Sequence, residues 1–181
     1  QHQWNANDIY FYNVWKYLFK VIVLSNQSLS IIESHRNLLS DQQASAFSAE
    51  VRAIRALFYY YAMDMFGRIP IVTSYNVNLK QVVQNERSEV FRFIFNELQA
   101  VAPLLADEHS NIRGDYYGRV TRPVANFLLA KLALNAEVYT VDNWTSGSRQ
   151  NGKNIFFHVN GEKKNAWETC IWYCEQLRQE G

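Results

Sequence analysis

The chain has 181 residues, 48% of them hydrophobic, and a formal net charge of +1 from 18 basic and 17 acidic residues. This balance argues against nucleic acid as a partner, because nucleic-acid binding depends on a basic surface. No apolar run approaches the roughly 18 residues of a membrane-spanning helix. With only three prolines and seven glycines, the composition favours long regular elements.

Two long helices are predicted first. Apolar residues recur every three or four positions over residues 9–33 and again over residues 41–66, as on one face of a helix. Ser40 is suited to cap the start of the second helix. Gly67 supplies the left-handed residue that commonly ends a helix, and Pro70 prevents the helix from resuming.

The next part of the chain alternates between extended and helical segments. Residues 69–75 should be extended, because a residue before proline is pushed out of the helical region. Short strands near Ile71 are the only strands expected outside the later loops. A third helix is predicted from about Ser88, with apolar residues at a four-residue spacing. Residues 107–117 are polar and rich in turn formers.

Thr121 is a good N-terminal cap for a fourth helix, which is predicted to run to about residue 139. Alanines mixed with leucines along this helix would let neighbouring helix axes approach closely. Residues 142–161 are predicted to form a surface loop, and its last residues, 155–161, could add a short strand and a tight turn. A fifth helix is predicted over residues 164–179.

The predicted fold class is therefore all-α. Five main helices joined by mostly short links suggest antiparallel helical hairpins of a repeat-like scaffold. The strict tetratricopeptide residue pattern is absent.

Residues suited to catalysis or metal binding form no recognisable site in the sequence. The histidines are scattered, at His2, His35, His109 and His158. Metalloprotease, hydrolase and nucleotide-binding motifs are missing. Cys170 and Cys174 could together hold a metal, but no further ligand completes a set, and we expect buried or half-buried free thiols. We predict no metal, no cofactor and no enzyme activity.

Aromatic residues make up 15% of the chain. The run at residues 58–61 covers more than half of its helix and should be mostly core. Trp144, Trp4, Tyr116 and Tyr117 instead fall in predicted loops or ends. Such rings can stack on the apolar face of a sugar ring, so these four are candidate glycan-binding residues. The alternative for each, Trp144 above all, is that the ring folds back and packs on the helices.

Arg52 and Arg55 lie on a strongly apolar helix. An arginine buried there needs partners, because leaving its charge unpaired costs several kcal/mol. We expect a structural bridge to a carboxylate or to helix-end carbonyls. A ligand clamp is the functional alternative.

The second helix and its exit carry a resemblance to a known family. Residues 49–60 read AEVRAIRALFYY and residues 66–72 read FGRIPIV. This pattern resembles the signature of the SusD-like (SusD/RagB) family: a Glu, an Arg-Ala pair, an aromatic run, Phe-Gly-x-x-Pro and a short apolar strand. The signature residues, to which we assign structural roles, are Glu50, Arg55, Gly67 and Pro70.

Further pieces follow in the order typical of this family. They are the aromatic-rich helix from Trp15 to an Asn at position 26, Glu97-Leu98, Gly118-Arg119-Val120-Thr121, Leu128-Leu129-Ala130-Lys131-Leu132 and Ala166-Trp167. Together they extend the resemblance over essentially the whole chain.

The resemblance implies tetratricopeptide-like helix pairs and a lipoprotein on the extracellular face of the outer membrane of a Bacteroidetes-type bacterium. It would bind oligosaccharide and sit over a SusC-like TonB-dependent transporter. Family members are longer, so residues 1–181 are expected to be one helical domain fragment from the middle of such a protein. The lipid-attachment cysteine and much of the sugar site would then lie outside this sequence.

Two other function classes stay open at this stage. A helical-repeat scaffold that binds only a protein partner would show an exposed apolar helix face. A hydrolase acting on sugars would show a pair of carboxylates in a cleft. A platform of loop aromatics would favour glycan binding instead.

Overall fold

A computed structural model describes residue 5, residues 8–143 and residues 145–179. Most of these residues are helical, which confirms the all-α prediction. The described elements, in chain order, are α1 (Ile9–Ser34), α2 (Asp41–Phe66), α3 (Arg87–Val101), α4 (Arg122–Leu134), α5 (Ala136–Tyr139), β1 (Phe156–Val159), β2 (Glu162–Asn165) and α6 (Ala166–Gln179). The helix α1 packs on α2, α2 on α3, α3 on α4, and α4 on α6.

The ends of α2 follow from local sequence signals, as predicted. The Ser40 hydroxyl accepts a hydrogen bond from the Gln43 backbone N–H (3.2 Å), and the Gln43 side-chain oxygen accepts one from the Ser40 N–H (3.0 Å). This reciprocal capping satisfies two donors that the helix leaves unpaired. At the other end Gly67 has a φ of 71° and donates its N–H to the Met63 carbonyl (2.8 Å).

The strands expected near Ile71 do not form in the described residues. The segment after Gly67 is extended, but its one pairing is an isolated bridge between Ile69 and Asn85. The Asn85 side chain then accepts a hydrogen bond from the Ile71 N–H (3.0 Å). The segment stays extended without a partner strand, because the Asn85 backbone bonds Ile69 and side chains bond the backbone of Ile71 and Val72.

The fourth helix is shorter than predicted. It ends at Leu134, where the Asn135 side chain bonds the Lys131 carbonyl (2.9 Å), and the separate short helix α5 follows. Asn135 ends the helix because an asparagine side chain that bonds nearby backbone carbonyls competes with helix continuation.

Thr121 occupies the N-cap position of α4, but its hydroxyl makes no capping bond. This hydroxyl is buried without a hydrogen-bond partner among the described residues.

Residues 142–161 are only partly a surface loop. Residues 145–151 are exposed, as predicted, but β1 places Phe157 and Val159 in the core. The strand alternates outward and inward side chains, which buries every second residue. The predicted tight turn is present at Asn160 and Gly161, which have φ values of 53° and 77°.

Most buried hydrophobic residues of the described chain form one cluster that draws on α1 to α6 and on β1. Aromatic rings of α3, β1 and α6 meet in it: Phe95 lies 4.3 Å from Phe157 and 6.2 Å from Tyr173, between ring centroids. Among the described helices, none combines the length and the apolarity that crossing a bilayer requires.

Candidate functional site

Arg55 and Arg52 share one carboxylate. Arg55 is only 4% exposed, and its Nη2 donates to Glu97 Oε2 at 2.7 Å. Arg52 donates to both Glu97 oxygens, at 3.1 Å from Nε and 2.6 Å from Nη2. Burial alone would raise the pKa of Glu97, but the hydrogen bonds and charges of the two arginines outweigh it and lower that pKa. The prediction that Arg55 is buried and paired is confirmed.

The same arginine extends into a network that holds the segment after α2. Arg55 Nη1 donates to Asn26 Oδ1 (2.8 Å), and Asn26 Nδ2 donates to the Val72 carbonyl (2.9 Å). The Tyr59 hydroxyl donates to the same carbonyl (2.9 Å) and accepts from the Val72 N–H (2.7 Å). Both terminal nitrogens of Arg55 therefore bond protein atoms, which favours the structural bridge over the ligand clamp.

A second ion pair joins α2 to a residue nearer the surface. Arg119 donates to both oxygens of Glu50, at 3.0 Å from Nε and 2.6 Å from Nη2. The hydrogen bond with Glu50 raises the pKa of Arg119. The Arg119 guanidinium carbon also lies 4.9 Å from the centroid of the Tyr116 ring. The pair thus connects the middle of α2 to the loop of residues 107–121.

This loop presents the two candidate tyrosines differently. Tyr117 is 64% exposed, whereas Tyr116 is half-buried and partly covered by Arg119. Tyr116 also lines a surface cavity of about 330 Å³ together with His109 and Ile112. Of these two residues, Tyr117 offers the more accessible ring for stacking.

Trp4 and Trp144 lie outside the described residues, so their roles stay predictions. On either side of position 144, Asp142 and Gly152 form hydrogen bonds with residues of helices. The Asp142 carboxylate accepts bonds from the Ser88 N–H (2.9 Å) and hydroxyl (2.7 Å) near the start of α3. The Gly152 N–H donates to Glu137 Oε1 at 2.6 Å. Residues 143 and 145–151, between these two anchors, are exposed.

The structure adds an aromatic cup that the sequence did not indicate. Asn5, residues of α1 and residues of the end of α2 line a cavity of about 370 Å³, with Tyr12, Trp15 and Phe66 among them. The Trp15 ring stands edge-on to Phe66, with 5.1 Å between centroids. Periodicity could not separate these rings from core residues, because the cup forms only where two helix ends meet.

The cysteine and acidic residues behave largely as solvated or structural groups. Cys170 is half-buried, and burial, together with the neighbouring Cys174 thiol, raises its pKa to about 11. Cys174 is exposed, so the expectation of burial was wrong for it: its position faces away from the cluster. Among the described residues, no three His, Cys, Asp or Glu side chains come together as a metal site would require. Asp107, in the polar loop, pairs with Arg122.

Comparisons with known proteins find one family. Residues 1–134 match a SusD-like family described as starch-binding and associating with the outer membrane. Starch-binding protein SusD of Bacteroides thetaiotaomicron is 32% identical over 158 residues, which are 79% of this chain and 27% of that protein. A SusD-like protein of Bacteroides ovatus is 24% identical over 123 residues, or 66% of this chain and 21% of that protein. The chain thus spans about a quarter of the length of these relatives.

Solved structures show the same fold. A laminarin-binding SusD-like protein superimposes with a TM-score of 0.61 and 27% identity, over 68% of this chain and 26% of its own. A structure described as a complex with xylogluco-oligosaccharide superimposes with a TM-score of 0.73 and 22% identity, over 99% of this chain and 32% of its own.

Proposed function

The chain belongs to the SusD-like family, and from this membership we propose that it is part of a non-catalytic protein that binds oligosaccharide at the bacterial cell surface. The family match over residues 1–134, with the starch-binding relative at 32% identity, carries the proposal. The family description names binding and not catalysis, in agreement with the prediction that the chain is not an enzyme.

The loop aromatics are the proposed glycan contacts within this chain. Tyr117 has an exposed ring, on a loop that the Glu50–Arg119 pair fastens to α2. Stacking of a flat ligand on such a ring contributes about 1–3 kcal/mol. Tyr116, Trp4 and Trp144 stay candidates of the same kind, and the anchored ends of the Asp142–Gly152 connection would limit the entropy lost when Trp144 engages a ligand.

The test is calorimetry on the whole protein with maltooligosaccharides, laminarin oligosaccharides and xylogluco-oligosaccharides. We expect binding to at least one class, weakened in Tyr117→Ala and Trp144→Ala. Tyr75→Ala is the matched control, because Tyr75 is exposed (46%) but lies outside these loops. Failure of the whole protein to bind any of the three classes would reject glycan binding.

The isolated 181-residue chain is expected to bind these glycans weakly or not at all, because it spans about a quarter of the relatives' length. A micromolar dissociation constant measured by calorimetry on this chain would place the main site within it instead.

We further propose delivery of the glycan to a SusC-like TonB-dependent transporter, with a lipid anchor holding the whole protein on the outer face of the outer membrane. Protease treatment of intact cells should digest the protein, and purification of the protein should recover the transporter. Protection from protease in intact cells would contradict this location.

A protein-binding scaffold is the second candidate function. The observation in its favour is a stripe on α1 with a seven-residue spacing, which is exposed to solvent: Tyr10 (78%), Tyr17 (60%), Leu24 (47%) and Ile31 (53%). An exposed apolar stripe of this kind is typical of a helix that packs on a partner. Leu24→Glu should reduce recovery of the transporter and leave glycan affinity unchanged if the stripe is the contact.

A further inference from the structure

A third surface cavity has the chemistry of a ligand site, and neither Tyr116 nor Tyr117 is among its described lining residues. It encloses about 480 Å³ where the end of α3, the start of α4, the β-hairpin turn and α6 meet. This volume exceeds that of the cavities beside Tyr116 and Trp15, about 330 and 370 Å³. It also falls in the range of small-molecule sites, roughly 300–1,000 Å³.

Amide side chains from four elements converge on this cavity: Gln99 of α3, Asn126 of α4, Asn160 of the turn and Gln176 of α6. A side-chain amide carries both a donor and an acceptor, which matches hydroxyl groups that do the same, and the exposed Asn160 and half-buried Gln176 are the accessible ones of the four. The Gln99 Nε2 donates to the His158 carbonyl at 2.8 Å, so this amide is held in place by the hairpin.

Trp172 supplies an aromatic wall. It is half-buried, and its ring stands edge-on to Tyr173, with 4.8 Å between centroids and an interplanar angle of 86°. Tyr173 is 4% exposed, and burial raises its pKa to about 12, so it lines the cavity as a neutral phenol. The orientation of the Trp172 ring is therefore set before any ligand arrives.

The charge of the cavity is already balanced. Arg122 is the one charged residue among its described lining residues, and it pairs with Asp107. Arg122 also donates to the Ala102 carbonyl (3.0 Å) and the Leu105 carbonyl (3.1 Å). A phosphate or a carboxylate would find no unpaired cation among the described lining residues, and a purely apolar ligand would cover the Asn160 and Gln176 amides without bonding them.

We propose that this cavity is a second saccharide site, which takes one or two rings of a neutral glycan, with Trp172 under the apolar face of a ring and the Asn160 and Gln176 amides on its hydroxyls. The inference rests on the proposed function, because a glycan-binding protein is the setting in which such a site would be used. It differs from the loop aromatics in its residues, so the two can be tested apart.

The test uses the whole protein and the same three oligosaccharide classes, measured by calorimetry. Gln176→Ala and Asn160→Gly each remove one amide, and glycine tolerates the positive φ of position 160. We expect each to weaken binding about 3- to 10-fold. Trp172→Phe, which keeps an aromatic ring in the cluster, should weaken it roughly 10-fold. Gln179→Ala is the control, since Gln179 is exposed on the same helix and does not line the cavity.

The outcomes separate this inference from the proposed function. Weakened binding in the amide variants, with melting temperatures equal to that of Gln179→Ala, supports the site. Unchanged affinity in all three cavity variants, while Tyr117→Ala or Trp144→Ala lowers it, overturns the site and leaves the proposed function standing. Absence of any glycan binding by the unmutated protein overturns both.

Discussion

Helix α2 makes arginine–glutamate contacts in two regions that differ mainly in burial, around Glu97 and around Glu50. In the interior, the side chains of Arg55 and Glu97 are 5% and 16% exposed. Nearer the surface, those of Arg119 and Glu50 are 43% and 19% exposed. Both contacts have short N–O distances, 2.7 and 2.6 Å. The bond lengths alone would not distinguish them.

The surroundings of the two contacts give them different structural roles. Arg55 also bonds Asn26, and through it the Val72 carbonyl, so its loss would leave buried polar groups without partners. Arg119 bonds Glu50 and covers Tyr116, so its loss would leave groups that water can reach. The first region therefore stabilises the fold, and the second positions a loop that carries a candidate recognition residue.

The largest expected effect is that of Arg55→Ala, which should lower the free energy of unfolding by about 2–4 kcal/mol. Denaturant unfolding measures it. Arg52→Ala is the control: its side chain is 32% exposed, and we expect a loss of about 1 kcal/mol. A stable Arg55→Ala protein that no longer binds glycan would instead support the alternative that Arg55 binds the ligand directly.

Glu97→Gln should lower the free energy of unfolding at neutral pH by about 1.5–3 kcal/mol, because two arginines lose their counter-charge. The pKa of Glu97 lies below its ordinary value of 4.5, so this stabilisation is present above about pH 4.5 and is lost as pH falls through the folded-state pKa. Acid unfolding should accordingly be less steep in the variant. If unfolding of the Glu97→Gln variant and of the unmutated protein depended on pH in the same way, Glu97 would not be the source of this pH dependence.

The surface pair should contribute less. Glu50→Gln and Arg119→Ala should each cost roughly 0.2–1 kcal/mol, and a double-mutant cycle should show the coupling shrink as salt is raised. A coupling energy as large as that between Arg55 and Glu97 would contradict the smaller stabilisation expected for the surface pair.

The smallest expected effect on stability is that of Tyr117→Ala, within about 0.5 kcal/mol, because its ring is exposed. Its effect should appear in glycan affinity instead. Thermal unfolding and calorimetry on the same preparation separate the two, and a large stability loss with intact affinity would remove Tyr117 from the candidates.

The predictions that succeeded rest on local chemistry. Ser40 and Gly67 bound α2 because capping and a left-handed residue act within one turn of the chain. The partners of Arg55 were harder to foresee. Burial in an apolar helix implied a carboxylate, but Asn26 and Glu97 lie 29 and 42 residues away, and only packing brings them together.

The helical class, most of the helix ends and the family could be predicted from the sequence, because periodicity, caps and a signature motif are local patterns along the chain. The other features depend on how distant segments pack. Phe157 lies in the core although residues 142–161 were predicted to be a surface loop, because β1 packs against α3. The cavity beside Trp172 likewise exists only where four elements meet. Local rules act over a few residues, whereas burial and cavities depend on contacts between distant segments.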